Sequence, residues 1–87
     1  MINTSQYSVD GTAVKLVSTS QTPKNVSLHC TSGGAIYING ANTVTTSNGF
    51  YMDKAGGPIT IEIGPNDEVW SVASTGTQTV TVMVITL

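Results

Sequence analysis

The sequence lacks both a long hydrophobic run and a strong charge of either sign. No stretch approaches the roughly 18 consecutive apolar residues of a membrane span, so we expect no membrane partner. The first residues carry neither a basic start nor an apolar run, which predicts no secretory signal and synthesis in the cytoplasm. The three basic residues, Lys15, Lys24 and Lys54, lie far apart and form no basic stripe. We therefore expect no nucleic acid as a partner.

Residues with catalytic or metal-binding chemistry are also scarce. His29 and Cys30 are the single histidine and cysteine, and neighbours on a strand point to opposite faces. We predict a buried, inert thiol at Cys30 and a surface or interface contact at His29. The acidic residues are too scattered in the sequence to predict a pair of carboxylates that face one substrate. A calcium site built from Asn66, Asp67 and Glu68 is possible but matches no calcium-binding motif. We predict that the chain is not an enzyme and has no catalytic residues, cofactor or metal.

Charged residues are scarce in this sequence, and uncharged polar residues and glycine are common instead. Charged residues make up 9% of the 87 residues, whereas about 25% is typical. A chain of this length can hold one hydrophobic core and no second domain. Because few charges keep such surfaces apart, the composition suits a protein that docks against identical or different subunits. An uncharged soluble β-domain is the alternative.

Hydrophobic residues recur with the period of a β-strand, and no window has helical spacing. Val26, Leu28 and Cys30 alternate with polar residues, as do the isoleucines between residues 59 and 63. Each run predicts a strand with one buried face. The predicted core consists of Val26, Leu28, Ile59, Ile61, Ile63, Trp70 and Val82.

Turn-forming residues divide the chain at spacings of about 8 to 12 residues, as in a sandwich or barrel. The predicted turn residues are Asn39, Gly40, Asn48, Gly49, Gly64, Pro65 and Asp67. The predicted strands are Thr12–Val17, Asn25–Thr31, Ala35–Ile38, Val44–Thr46, Phe50–Met52, Ile59–Ile63, Glu68–Ala73 and Gln78–Leu87. We therefore predict an all-β fold, a small antiparallel β-sandwich of about eight short strands that is jelly-roll-like.

The two ends of the chain differ in pattern. Residues 1–10 have no clear period and little apolar surface, which predicts a flexible N-terminal arm before a single β-sandwich domain in residues 11–87. The last strand is apolar on both faces from Met83 onward. It fits either a central strand covered on both sides or a subunit interface that includes Met83, Ile85 and Leu87.

Aromatic residues allow a further interpretation. Trp70, Tyr37, Phe50 and Tyr51 could form a platform on which sugar rings stack, although core packing accounts for most aromatic residues in a small domain. Carbohydrate binding is therefore kept as the alternative function.

Several strand and turn segments together resemble the small β-sandwich virion proteins of tailed bacteriophages. These segments are Ala35–Gly40, Val44–Thr45, Asn48–Phe50, Ile59–Ile63, Asp67–Val72 and Thr75–Thr77. The resemblance implies a capsid decoration or cement protein on the outer capsid surface of the virion, which stabilises the head. The implied partner is the major capsid protein, with a homo-oligomer, a trimer being favoured. The alternative is a receptor- or carbohydrate-binding module associated with a tail fibre or baseplate.

Overall fold

The computed structural model describes all residues from Met1 to Leu87 and contains eight β-strands. No helix is long and apolar enough to cross a membrane. The strands are β1 Ile2–Val9, β2 Val14–Val17, β3 Lys24–Cys30, β4 Ala35–Asn39, β5 Phe50–Asp53, β6 Ile59–Ile63, β7 Val69–Ala73 and β8 Gln78–Thr86.

The strands form two four-stranded antiparallel sheets packed as a sandwich, which confirms the predicted fold class. Sheet A has the order β1-β8-β3-β6, and sheet B has the order β2-β7-β4-β5. No two strands that are consecutive in the chain are neighbours in sheet A, because the chain repeatedly crosses between the sheets. This is the arrangement of a jelly roll. It leaves β1 and β6 as the edges of sheet A, and β2 and β5 as those of sheet B.

The core lies between the sheets and is made of alternate residues of each strand. Strand register places Leu28 opposite Val82, and Val26 opposite Val84, so these side chains share the inner face of sheet A. From sheet B, the fully buried Ile36 points inward toward sheet A. The core cluster contains Val9, Leu16, Val17, Val26, Leu28, Cys30, Ile36, Ile38, Met52, Ile63, Val69, Ala73, Val80 and Val82.

The N-terminal segment differs from the expected arm. Residues 2–9 form β1, which pairs with β8 along its whole length, from Ile2 opposite Ile85 to Val9 opposite Gln78. Six of its eight residues are exposed. The segment therefore lacks the alternation of apolar residues by which a strand is predicted from sequence. Main-chain hydrogen bonds to β8 place the segment in the sheet, since such bonds do not depend on apolar side chains.

The strand expected at Val44–Thr46 is absent, and a loop joins β4 to β5 there. Val44 is buried, but the loop uses its own polar side chains to bond its backbone. Asn48 Oδ1 accepts from Thr45 N at 2.7 Å, and Asn48 Nδ2 donates to the Thr43 carbonyl at 3.1 Å. These local bonds replace those of a sheet.

A buried glutamine connects two loops at one end of the sandwich. Gln78 Oε1 accepts a hydrogen bond from Gly34 N at 3.0 Å, and its Nε2 donates to the Thr75 carbonyl at 2.8 Å. A Cβ at Gly34 would fall on this side-chain amide. Glycine is therefore required where the β3–β4 loop approaches Gln78.

Candidate functional site

A groove opens at the side of the sandwich where the edge strands β5 and β6 lie, and its volume is about 430 Å³. We call it the β5–β6 groove. Its walls are six apolar side chains, and its rim is polar. The apolar residues are Ile38, Phe50, Ile59, Ile61, Ile63 and Val69; the others are Asn39, Gly40, Asp67 and Glu68.

The groove exists because the inner face of β6 is not fully covered by sheet B. Ile59 pairs with Leu28 and Ile61 with Val26, so all four side chains face inward. Leu28 and Val26 are fully buried, whereas Ile59 and Ile61 are only partly buried. Both isoleucines pack against the core, as predicted from their alternation, but they are not fully buried because an edge strand has a neighbour on one side only. Ile63 is buried at the inner end of the groove.

Phe50 forms the opposite lip of the groove. It pairs with Ile38 and so faces inward, but 62% of its surface is exposed because β5 is the edge of sheet B. Together with the partly buried Ile59 and Ile61, Phe50 leaves apolar surface open to solvent at the groove.

The carboxylates on the rim already have partners. Asp67 Oδ2 accepts a hydrogen bond from Gly64 N at 2.8 Å and closes the turn that carries Asn66 at a φ of 68°. Glu68 accepts from Trp70 Nε1 at 3.2 Å and lies 3.1 Å from Lys15 Nζ. The hydrogen bond from Trp70, followed by that from Lys15, lowers the pKa of Glu68. Glu68 therefore already has a cation beside it, and Asp67 is held by the backbone of its own turn.

A second apolar surface lies on the outer face of sheet A, near both chain ends. Ile2 pairs with Ile85 across β1 and β8. Met83 and Leu87 share that face by the two-residue period of a strand. Met83 and Ile85 are half-buried, while Ile2 and Leu87 are 66% and 57% exposed. We call Ile2, Met83, Ile85 and Leu87 the outer patch.

The outer patch decides between the two interpretations of the last strand. β8 lies in the interior of sheet A, between β1 and β3. Its inner face packs in the core through Val80 and Val82, but its outer face at Met83 and Ile85 is only half-buried in the monomer. The strand is central and also presents an apolar surface.

Three aromatic residues lie on the outer face of sheet B. The rings of Tyr37 and Tyr51 are 5.5 Å apart in an edge-to-face arrangement, and Lys15 Nζ lies 5.3 Å from the centre of the Trp70 ring. Trp70 is half-buried, so its predicted place in the core is wrong. Its strand register with Lys15 and Asn39 points the indole outward.

A tyrosine and an aspartate interact beside this aromatic cluster. Tyr51 donates to Asp53 Oδ2 at 2.7 Å, which raises the pKa of Tyr51 and lowers that of Asp53. Gly56 N also donates to Asp53, at 2.8 Å. Through this second bond Asp53 closes the turn after β5.

The residues with nucleophilic or metal-binding chemistry stay apart. Cys30 is fully buried, and its Sγ contacts the carbonyls of Ser32 and Gly34 at 3.7 and 3.6 Å. His29 lies on the outer face of sheet A opposite Thr81. No cluster of three or more histidine, cysteine, aspartate or glutamate residues could hold a metal ion.

The predicted turn residues occupy the ends of two loops. Asn39 ends β4 and Gly40 begins the loop, while Asn48 and Gly49 end it before β5. A Cβ at Gly49 would lie 2.6 Å from that of Tyr37, so this position excludes larger residues. Gly64, Pro65 and Asp67 form the β6–β7 turn.

Two parts of these surfaces have no signal in the sequence. Ile2 lies in a segment that is otherwise polar, and only its pairing with Ile85 joins it to the outer patch. Ile38 and Phe50 meet the isoleucines of β6 through strand order, which no local pattern encodes. The apolar character of Ile59 and Ile61 was visible, but their partial exposure was not.

Comparison with known proteins gives one informative likeness. No protein-family model and no curated protein sequence matches the chain. Among solved structures, a chain from Bacillus endospore appendages, described as a novel family of disulfide-linked pili, is similar with a TM-score of 0.64. The likeness covers 100% of this chain and 86% of that chain, at 18% sequence identity. At this identity the likeness shows a shared fold.

The expected role as a phage decoration protein is wrong. The full-length likeness is to a chain of pili, and not to a capsid protein. The head-stabilising role, the major capsid protein as partner, the favoured trimer, the location on the virion and the tail-fibre alternative are corrected with it. The quoted segments are strands and turns of a β-sandwich, so they reflect the fold and not a function.

Proposed function

We propose that this chain is a non-enzymatic structural subunit that associates with copies of itself into a fibre or surface appendage. The shared fold with a chain of endospore pili supports this role. The observation that carries the proposal is the distribution of exposed apolar residues. Four of the five large ones, Met1, Ile2, Phe50 and Leu87, lie in or next to the outer patch and the β5–β6 groove, whereas Tyr51 lies on the outer face of sheet B.

Two further properties of the surface favour self-association. Each sheet ends in strands with a single neighbour, so rows of main-chain donors and acceptors are available at four edges. A net charge of -2 provides little repulsion between copies. Cys30 is buried in the core, and no cluster of metal-binding side chains is present, which supports a structural and not a catalytic role.

A fibre of this chain differs from disulfide-linked pili in its chemistry. Cys30 is the single cysteine and is fully buried on the inner face of sheet A. A disulfide between copies would require this strand to leave the core. The copies therefore associate through non-covalent contacts.

The test is to purify the chain and follow its assembly across a concentration series. Light scattering after size-exclusion chromatography gives the mass, and negative-stain electron microscopy gives the shape. We expect fibres or open oligomers that grow with concentration, and equal assembly with and without a reducing agent.

The matched control is Cys30→Ala, which removes the thiol and keeps a small apolar side chain. It should assemble as the wild type does once folding is verified by circular dichroism. A wild-type chain that stays monomeric up to millimolar concentration would contradict the proposed function. Assembly that requires oxidation would contradict its non-covalent basis.

A further inference from the structure

We propose that the outer patch of one copy docks into the β5–β6 groove of the next copy. The inference rests on the proposed function and specifies the contact that produces it. The patch is an apolar surface on the outer face of sheet A, where Ile2 pairs with Ile85. The groove opens between the sheets at Phe50 and Ile59.

The occupant is a second copy of this chain because the outer patch exposes apolar side chains that can cover the apolar walls of the groove. The groove walls are apolar, and the patch is the other place where the molecule exposes large aliphatic side chains. The side chains of the patch residues and of their direct strand partners, which include Asn25 and Ser27, carry no charge. Docking therefore brings no charged side chain of the patch against the apolar walls.

The rim of the groove is compatible with this contact. Asp67 is bonded to Gly64 N, and Glu68 to Trp70 and Lys15, so both carboxylates keep their partners when a neighbour approaches. Glu68 therefore needs no cation from an incoming apolar surface. Asp67 lies on the exposed part of the rim.

The size of the molecule fits such an interface. A stable interface buries about 800 Å² on each partner, which is about one sixth of the 4707 Å² accessible surface of this chain. The principal extents of the molecule are 33 × 23 × 18 Å. An interface of that size is comparable with one of its two broadest faces, of 33 × 23 Å.

The geometry of the contact favours chains of copies over closed pairs. Patch and groove are different surfaces, so a copy that fills its neighbour's groove leaves its own groove open for a third copy. A heterologous contact of this kind produces a ring if its rotation closes and a fibre if it does not.

The test uses two variants that each lose one half of the contact. The patch variant carries Ile2→Asp and Leu87→Asp, and the groove variant carries Phe50→Asp; all three residues are more than half exposed in the monomer. A buried, unpaired carboxylate should raise the concentration needed for assembly at least about tenfold in each. Matched controls are Ser8→Asp, at the far end of β1, and Tyr51→Asp, beside Phe50 on the opposite face.

Mixing the two variants gives the decisive measurement. The patch variant retains a groove and the groove variant retains a patch, so an equimolar mixture should form dimers and nothing larger. Analytical ultracentrifugation measures this, and circular dichroism shows that each variant is folded. The control variants should form the same large assemblies as the wild type.

The outcomes separate the two proposals. If the wild type assembles but the mixture stays monomeric, or if either variant alone still assembles, the patch-to-groove contact is wrong and the structural role stands. Dimers in one variant alone would also overturn it, since they indicate a symmetric contact. If the wild type itself never assembles, both proposals are overturned.

Discussion

Leu28 and Ile59 face each other on the same side of sheet A, yet one is fully buried and the other is not. Leu28 lies on β3, which has a strand on each side, and Ile59 lies on β6 at the edge. The same contrast separates Val26 from Ile61. Two regions with the same pattern and similar side chains therefore have different roles. The centre holds the fold together, and the β6 side retains apolar surface for a partner.

The largest expected effect comes from truncating this pair in the monomer. Leu28→Ala should lower the free energy of unfolding by about 2–5 kcal/mol, because it leaves a cavity in a fully buried site. Ile59→Ala should cost less than half as much, since solvent already reaches its side chain. Urea denaturation at a concentration without assembly measures both. Equal losses would contradict the contrast between centre and edge.

A smaller effect is expected at the end of the sandwich, where Gln78 connects two loops. Gln78→Leu removes the acceptor for Gly34 N and the donor for the Thr75 carbonyl. We expect a loss of about 1–3 kcal/mol, because buried polar groups are left without partners. Hydrogen exchange at Gly34 should quicken, while amides in the centre of β3 remain protected. Unchanged exchange at Gly34 would indicate that this contact does not stabilise the loop.

Replacing Ser71 tests whether water reaches the centre of the core, as it reaches the groove. Its Oγ is fully buried on the inner face of β7 and has no hydrogen-bond partner. Ser71→Ala should leave stability unchanged or raise it by up to about 1 kcal/mol, since an unsatisfied hydroxyl is removed. Thermal unfolding measures this, with Ser8→Ala on the exposed edge as the control. A clear loss of stability would mean that water or another group bonds this hydroxyl.

The smallest effect concerns pH and the rim of the groove. Because the Trp70 and Lys15 contacts lower the pKa of Glu68, they stabilise the fold above the pH range where a free glutamate protonates. This contribution is lost as the pH falls through the lowered pKa. Glu68→Gln should therefore melt below the wild type at neutral pH and approach it as the pH falls through the lowered pKa of Glu68. A difference that persists in acid would point to a cause other than charge.

The sequence predicted most of the fold and only part of the site. Alternation along residues 26–30 and 59–63 predicted which side chains face inward, because a strand has a fixed two-residue period. It could not predict that one strand is central and the other an edge, since strand order depends on contacts between distant segments. β1 was missed for a related reason: its place depends on backbone pairing with β8, and its exposed side chains carry no signal.

The site was partly visible at Met83, Ile85 and Leu87, whose apolar character on both strand faces indicated a surface in need of cover. Their partner Ile2 and the opposing Phe50 could be found only from the register and the order of the strands. The expected function failed because strand and turn motifs recur in unrelated β-sandwiches.

The placement of lysine has a consequence for proteolysis. Two of the three lysines lie within strands, Lys15 in β2 and Lys24 in β3, and Lys54 alone lies in an exposed turn, between β5 and β6. A trypsin-like protease should therefore cut the folded chain first after Lys54. The fragment that ends at Lys54 would retain Ile38 and Phe50, the other would retain the groove residues of β6 and β7, and the two would stay joined through the sandwich. Limited digestion thus cuts the covalent link between the edge strands β5 and β6.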